Sequence, residues 1–376
     1  MTEKRPILWT PSRERAEAST MAAFLRWLEK THGLIFTDYD ALWNWSVSDL
    51  EGFWHAIWTY FGIGPKEVVT EVIARRDMPG AEWFPGVTLN YAEVVLRAGR
   101  DKPDDQALVV KSETFGESEL TWAELTARVA SVASHLRGMG VGQGDRVVAI
   151  LPNTEIAIIA FLATASLGAV WSLCAPEMGH VAILDRFRQI EPKVLIAQDG
   201  YVHRGKRVDR REILSLISDG LTTLKHQIRM SVFDDYPSNT TRWEDVLNHD
   251  SVLESAQKVP FDHPLWIVYS SGTTGNPKPI VHGHGGVLLE GAKQSLHMDL
   301  TGADRFCWLT SSGWIMWNCQ FVALARGALL AMFDGAPDYP DLSALWAFVE
   351  REDLTYFGAG AAFFDGCRKA GLLPKD

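Results

Sequence analysis

The sequence predicts an α/β protein of helix-covered, mostly parallel sheets, preceded by a tryptophan-rich helical extension. Three observations carry that expectation. From about Gln106 onward, short apolar runs alternate with helical patterns, the order that builds parallel strands joined by helical crossovers. Those runs are apolar at consecutive positions, as strands covered on both faces are. Seven of the fifteen tryptophans (Trp9, Trp27, Trp43, Trp45, Trp54, Trp58 and Trp83) fall in the first 95 residues, which sets that stretch apart.

The elements follow in chain order. Met21, Phe24, Leu25 and Leu28 recur at helical spacing, so one helix is expected from about Arg13 to Lys30, with Gly33 as its stop. A second helix is expected from Ser48, with Glu51 completing a capping box and Phe53, Trp54, Ile57 and Trp58 on its apolar face. The aromatics of this region read as packing residues. Met78 to Glu93, rich in Pro and Gly, reads as an irregular connector. The expected division is therefore 1–95 for the helical extension and 96–376 for the main domain. Strand ALVVKS comes first there, then a helix opening at Thr121 with Glu124 as capping partner, then strand Arg146 to Leu151 and a helix from Asn153. The uncharged stretch Ile156 to Pro176 is long enough to span a bilayer. Thr164, Ser166, Gly168 and Ser172 interrupt it, so a buried helix followed by a buried strand is expected, with a membrane span as the alternative. A helix near His180 to Ile190 and strand KVLIA follow. Gly200 to about His263 reads as less regular and includes the basic cluster HRGKRVDRR. Strand LWIVYS then leads into a Gly-rich loop and a helix. Strands FCWLT and LLAMF, a helix from Leu342 to Arg351, strand TYFGA and a helix to Ala370 complete the pattern.

Composition narrows the function classes. With 376 residues, 47% hydrophobic and 22% charged, the chain is neither disordered nor a small disulfide-stapled scaffold. Its net charge of -11, from 36 basic and 47 acidic residues, argues against nucleic-acid or anionic-membrane binding by bulk charge. Cys174, Cys307, Cys319 and Cys367 form no C-x-x-C pair, so neither a disulfide framework nor a zinc ribbon is expected. The first twenty residues hold no apolar signal-peptide core. A reduced, cytoplasmic protein without a membrane span is the resulting expectation. Its oligomeric state is not legible.

The most informative segment reads YSSGTTGNPKPIVHGHGG, Tyr269 to Gly286. Glycines let backbone N–H groups turn towards an anion without a Cβ clash. Ser and Thr hydroxyls add donors or meet a metal ion, and a lysine adds charge. Ser270, Ser271, Gly272, Thr273, Thr274, Gly275 and Lys278 thus suit a polyphosphate. The spacing is not Walker A, because Asn276 and Pro277 separate Gly275 from Lys278, and the loop has no G-x-G-x-x-G. HGHGG could belong to an esterase oxyanion loop, but the chain has no G-x-S-x-G elbow. His282 and His284 have no evident third ligand, so no resident metal site is expected.

SSGTTGNPK resembles the phosphate-binding signature of the AMP-forming acyl-CoA synthetases, the adenylate-forming superfamily. LWNWSVSDLEGFW and MPGAEWFPGVTLNYAE resemble the leading segment of acetyl-CoA-synthetase-like enzymes. More closely, PKPIVHGHGG, GKRVDRRE, SSGWIMWN and FFDGCRKAGL resemble the acetoacetyl-CoA synthetase (acetoacetate–CoA ligase) family, and the resemblance runs over essentially the whole chain.

That resemblance implies a two-step reaction with ATP, Mg²⁺ and coenzyme A. A short carboxylate attacks the α-phosphorus to give an acyl-adenylate and pyrophosphate, and the coenzyme A thiolate then displaces AMP. By resemblance, Ser270 to Gly275 and Lys278 hold the β- and γ-phosphates. Thr274 and Lys278 are the catalytic candidates, Thr274 helping to place the metal-bound triphosphate. Pro279 stands where many superfamily members carry Gly. Trp314, Ile315, Met316 and Trp317 match the wall of a short acyl pocket, with a plain core role for Trp314 and Trp317 as the alternative, and Asn318 could bond a substrate carbonyl. Arg204, Gly205, Lys206 and Arg207 match the segment that meets the nucleotide end of coenzyme A, with Asp338 beside them; a solvated basic loop is the alternative. The 376 residues contain no Y-G-x-T-E adenine loop, and neither the ribose-binding Asp nor the mobile domain with its catalytic lysine is found. The expectation is therefore an incomplete adenylate-forming N-terminal domain of weak or no activity alone. The competing readings are an acetyl- or propionyl-CoA synthetase and a non-catalytic nucleotide-binding or interaction remnant.

Overall fold

The computed structural model describes residues 7–64, 69–247, 255–270 and 275–372. Its contacts divide the chain into two units, Met1–Pro85 with Leu289–Thr301, and Gly86–Leu288 with Gly302–Asp376.

The first unit is helical: Arg13–Ala18, Thr20–His32, Tyr39–Ser48 and Leu50–Tyr60. The single helix expected from Arg13 to Lys30 is two, because Ser19 in extended backbone ends one and caps the other through Ala22 N. Gly33 ends the second at φ 68°, a left-handed conformation that suits glycine, and its N–H bonds Glu29 O and Leu28 O. The box expected from Ser48 and Glu51 does not form. Asp49, one residue later, accepts from Gly52 N at 3.0 Å, while Glu51 pairs with Arg76. Trp58 is fully buried and stacks on Phe84 at 4.7 Å. Trp9 and Trp43 stay more than half exposed, so the aromatics of this region are not all packing residues.

The second unit holds two larger sheets. The seven-stranded one runs, in spatial order, Thr241–Arg242, His226–Met230, Val194–Gln198, Arg146–Ile150, Val170–Cys174, Pro264–Ser270 and Lys278–Gly283. All neighbours are parallel except the last pair. The five-stranded one runs Tyr356–Gly358, Arg305–Trp308, Leu329–Asp334, Gln106–Ser112 and Gly116–Thr121, again parallel except for its last pair. Mostly parallel sheets with helical crossovers are what the alternating pattern predicts.

The helix Glu155–Ser166 shows how the chain buries its apolar surplus. Every residue from Ile156 to Ser166 is buried, so the helix has no polar face to lose. Phe161 meets the rings of Phe321, Trp266, Tyr91 and Trp171. The stretch weighed as a membrane span is this twelve-residue helix followed by the strand Val170–Cys174. Among the described residues, no helix is long and apolar enough to cross a membrane. Thr121 and Glu124 form the expected reciprocal capping box at the helix Trp122–Gly138.

Two stretches differ from expectation. Gly200 to His263 is more regular than its composition suggests. It contains the hairpin Gly200–His203 and Lys206–Asp209, the amphipathic helix Arg211–Gly220 and the parallel strand His226–Met230. The Gly-rich loop does not run straight into a helix. It returns as the antiparallel strand Lys278–Gly283, and the helix His284–Met298 follows. Pro279 is tolerated there because this strand is the sheet edge.

Candidate active site

The loop is carried on the stem made by Pro264–Ser270 and Lys278–Gly283. In their register Ser270 faces Lys278 and Tyr269 faces Pro279. Ser271, Gly272, Thr273 and Thr274 lie outside the described residues. Gly275 takes φ 146° with open space where a Cβ would stand, a backbone that a larger residue adopts only with strain. Lys278 is exposed and has no carboxylate partner among the described residues, so its charge stays available to an anion.

Beside the stem lies a cavity of about 100 Å³ whose lining includes Tyr269, Arg186, Met178, Ser312, Trp314 and Asn318. It is brought together by the ends of Val170–Cys174 and Pro264–Ser270 and by the turn before the short helix Ile315–Cys319. Two side chains pin that turn, Ser312 Oγ donating to Leu151 O and Ser311 Oγ donating to Glu177 Oε1, and at the far end of the helix Gln320 Nε2 donates to Asn153 Oδ1. A Cβ at Gly313 would stand 3.1 Å from Ala175 N, a tight contact that shows how closely the two segments approach.

The five acyl-pocket candidates separate. Trp314, 61% exposed, lines the cavity, and so does Asn318, 7% exposed, whose side-chain amide has no hydrogen bond among the described residues. Trp317 is fully buried against Phe321 and Phe161, at 5.0 and 6.3 Å between centroids, so the core alternative holds for it and not for Trp314. Ile315 is exposed, Met316 is half-buried, and neither belongs to the cavity lining.

The basic candidates sit on the hairpin tip. Arg204 and Gly205 make the turn at φ 52° and 73°. Arg204 Nη2 reaches both oxygens of Asp338 at 2.7 Å, and this guanidinium holds the Asp338 carboxyl below the usual carboxylate range. Gly205 N donates to Glu113 Oε2 at 3.1 Å, and Glu113 Oε1 also accepts from Ala336 N. A Cβ at Gly205 would stand 2.5 Å from Tyr339 Oη. The structure thus brings Arg204, Gly205 and Asp338 together and leaves Lys206 and Arg207 exposed without carboxylate partners among the described residues. Glu113, which ties the tip down, carries no motif that the sequence would have flagged.

The two loop histidines have structural partners. Tyr91 N donates to His284 Nδ1 and Trp266 Nε1 donates to His282 Nδ1, both at 3.1 Å. Burial pushes the His284 ring down to about 3, so it stays neutral. Burial also pushes the Asp334 carboxyl up to about 6, although Ser112 Oγ donates to it at 2.6 Å.

Residues 95–375 match the family described as AMP-binding enzyme. The chain belongs to that family. As an AMP-binding enzyme it also carries, over residues 39–95, a match to the acetyl-coenzyme A synthetase N-terminus. It is similar to the acetoacetyl-coenzyme A synthetase of Rhizobium meliloti (strain 1021), 37% identical over 100% of this chain and 58% of that one. The acetoacetyl-CoA synthetase of Rattus norvegicus is 36% identical over 98% of this chain and 57% of its own length. Among solved structures, acetoacetyl-CoA synthetase from Streptomyces lividans superposes with a TM-score of 0.95 at 44% identity, over 98% of this chain and 58% of that chain. This AMP-binding enzyme therefore spans less than three-fifths of the length of these relatives.

Proposed function

We propose that the protein activates acetoacetate to acetoacetyl-CoA through an acyl-adenylate, as an AMP-forming acid–thiol ligase of the cytoplasm serving short-acyl lipid and ketone-body metabolism. The observation that carries the reading is the pairing of a glycine-rich loop, set between Ser270 and Lys278, with a cavity of about 100 Å³ on the same stem. A cavity of that size admits an acid of a few heavy atoms. The names of the relatives support acetoacetate over acetate or propionate.

The residues present suit a polyphosphate. Gly275 offers a backbone with open space around it, Ser270 a hydroxyl and Lys278 a cation opposite it with no carboxylate partner among the described residues. In this reading Ser271 to Thr274 complete the cradle, and Thr274 helps to place Mg²⁺ with the triphosphate. Mg²⁺ would supply charge neutralisation between β- and γ-oxygens. One acetoacetate oxygen bonds to the α-phosphorus as the bond to pyrophosphate breaks. Two anions must meet for this, so fixed cations and donors lower the barrier by offsetting their repulsion. The coenzyme A sulfur then takes the acyl carbon and AMP leaves with the carboxyl oxygen. Trp314 and Asn318 line the acyl end, and Asn318 donates to the acetoacetate carbonyl. Lys206 and Arg207, on a tip that Arg204, Gly205 and Asp338 fix, meet the phosphates of coenzyme A.

The test is acid-dependent AMP release with ATP, Mg²⁺ and coenzyme A, on protein expressed from the intact gene and offered acetoacetate, acetate and propionate. Turnover highest with acetoacetate supports the reading. Turnover of acetate or propionate with none of acetoacetate replaces it with an acetyl- or propionyl-CoA synthetase.

A further inference from the structure

One cation at the site has no role in the account above. Arg186 lies in the last turn of the helix His180–Phe187, which carries straight on into the turn Arg188–Ile190. It lines the 100 Å³ cavity and is half-buried. No carboxylate pairs with it among the described residues. Its guanidinium lies 5.6 Å from the centroid of the Tyr269 ring, and Nη1 donates to Ala182 O at 2.7 Å. Tyr269 Oη donates in return to Arg186 O at 3.0 Å. Three residues further on, Gln189 Nε2 donates to Pro277 O at 2.9 Å.

The placement of these contacts matters more than any one of them. Tyr269 directly precedes Ser270, and Pro277 directly precedes Lys278. One helix end therefore holds both stems of the glycine-rich loop: the first through a cation–π contact and a hydroxyl, the second through a side-chain amide. A loop that binds phosphate through backbone N–H groups loses affinity to the entropy of arranging them, and stems held in advance reduce that loss. An arginine held over an aromatic ring and bonded to a helix carbonyl keeps its charge and has further N–H groups to offer an anion.

We infer that Arg186, held over the Tyr269 ring, is a positioning residue for the nucleotide's phosphates, with Gln189 as its counterpart on the second stem. This rests on the phosphate-loop reading and adds to it a part of the fold that the loop motif does not contain. The other anion that Arg186 could serve is the acyl carboxylate in the same cavity, and the experiment separates the two.

Inorganic pyrophosphate with Mg²⁺ is titrated calorimetrically into the wild-type chain and into Arg186→Met, Arg186→Lys and Gln189→Leu, and acetoacetate is titrated in parallel. Thermal unfolding of each variant is recorded. Arg186→Met is expected to weaken pyrophosphate roughly tenfold, the scale of one lost contact to a charged group. Arg186→Lys should recover part of that, because the charge remains while the planar guanidinium with its several N–H donors is lost. Gln189 is exposed, so Gln189→Leu should leave the melting temperature in place and weaken pyrophosphate by about two- to threefold. If Arg186→Met does not fold, Arg186→Lys and Gln189→Leu decide. Pyrophosphate affinities within about twofold of wild type in all folded variants overturn the inference, because a packing role moves only the melting temperature. Weaker acetoacetate with unchanged pyrophosphate also overturns it and gives Arg186 to the acyl end. A wild-type chain that binds no pyrophosphate overturns the phosphate-loop reading itself.

Discussion

Trp314 and Trp317 stand three residues apart, and their substitution should have opposite consequences. Trp317 is fully buried against Phe321 and Phe161, whereas Trp314 is 61% exposed at the rim of the cavity. A buried indole removes roughly 200 Å² from water. At about 25 cal/mol per Å² that is about 5 kcal/mol as an upper bound. Truncation also leaves a cavity, so Trp317→Ala should cost about 3–5 kcal/mol. Trp317 Nε1 has no hydrogen-bond partner among the described residues, which costs about 1–3 kcal/mol. Trp317→Phe keeps most of the ring contacts and sheds that cost, so it should lose less than about 2 kcal/mol. Trp314→Ala should stay within about 0.5 kcal/mol of wild type while changing the affinity for the acyl substrate. Urea unfolding at fixed pH reads the stabilities from the midpoint and slope. The reasoning is refuted if Trp317→Ala unfolds at the wild-type midpoint, or if Trp314→Ala loses several kcal/mol.

Four further outcomes follow from the same geometry. Lys278→Met should weaken ATP roughly ten- to a hundredfold in a binding titration while leaving the melting temperature unchanged, because the side chain is exposed and has no carboxylate partner among the described residues. Gly205→Ala sets a Cβ at φ 73° and 2.5 Å from Tyr339 Oη; it should cost about 1–3 kcal/mol and weaken coenzyme A while ATP affinity holds, as parallel titrations would show. Asp334 binds its proton more tightly in the folded chain than in the unfolded one, with a folded value of about 6. Stability should therefore fall by at most about 3 kcal/mol as pH rises from about 4 to 6 and level off above, and Asp334→Asn should remove that slope from urea midpoints measured across the range. Thr121→Ala removes the hydroxyl that accepts from Glu124 N, while the backbone N–H at 121 still donates to the Glu124 carboxylate, and should cost about 1 kcal/mol by the same unfolding measurement, without effect on ligand binding.

Much of the fold was legible because it depends on local pattern. Thr121 and Glu124 three residues apart, the apolar runs of the parallel strands and Gly33 after a periodic helix each state their structure locally. What was not legible depends on partners distant in sequence. Lys278 to Gly283 contains a proline and a glycine and reads as loop, yet it pairs because Pro264–Ser270 offers it an edge. The helix Arg211–Gly220 was hidden by the basic cluster before it, although Leu214 and Ile217 mark its buried face. In the site, the motif pointed to Ser270, Gly275 and Lys278 but not to Arg186 or Glu113. Each of these is placed by a tertiary contact: Arg186 over the Tyr269 ring, Glu113 at Gly205 N and Ala336 N. Likewise Trp314 and Trp317 are the same residue type in one motif, and only burial separates an exposed cavity-lining ring from a core ring.

The most direct test of the central claim is the fate of a carboxyl oxygen. The protein expressed from its intact gene is given acetoacetate labelled with ¹⁸O in the carboxylate, together with ATP, Mg²⁺ and coenzyme A, and the nucleotide product is weighed by mass spectrometry. Attack of the carboxylate on the α-phosphorus predicts one ¹⁸O in AMP and none in pyrophosphate. Label in inorganic phosphate with ADP as the nucleotide product would place the attack at the γ-phosphorus and contradict the account.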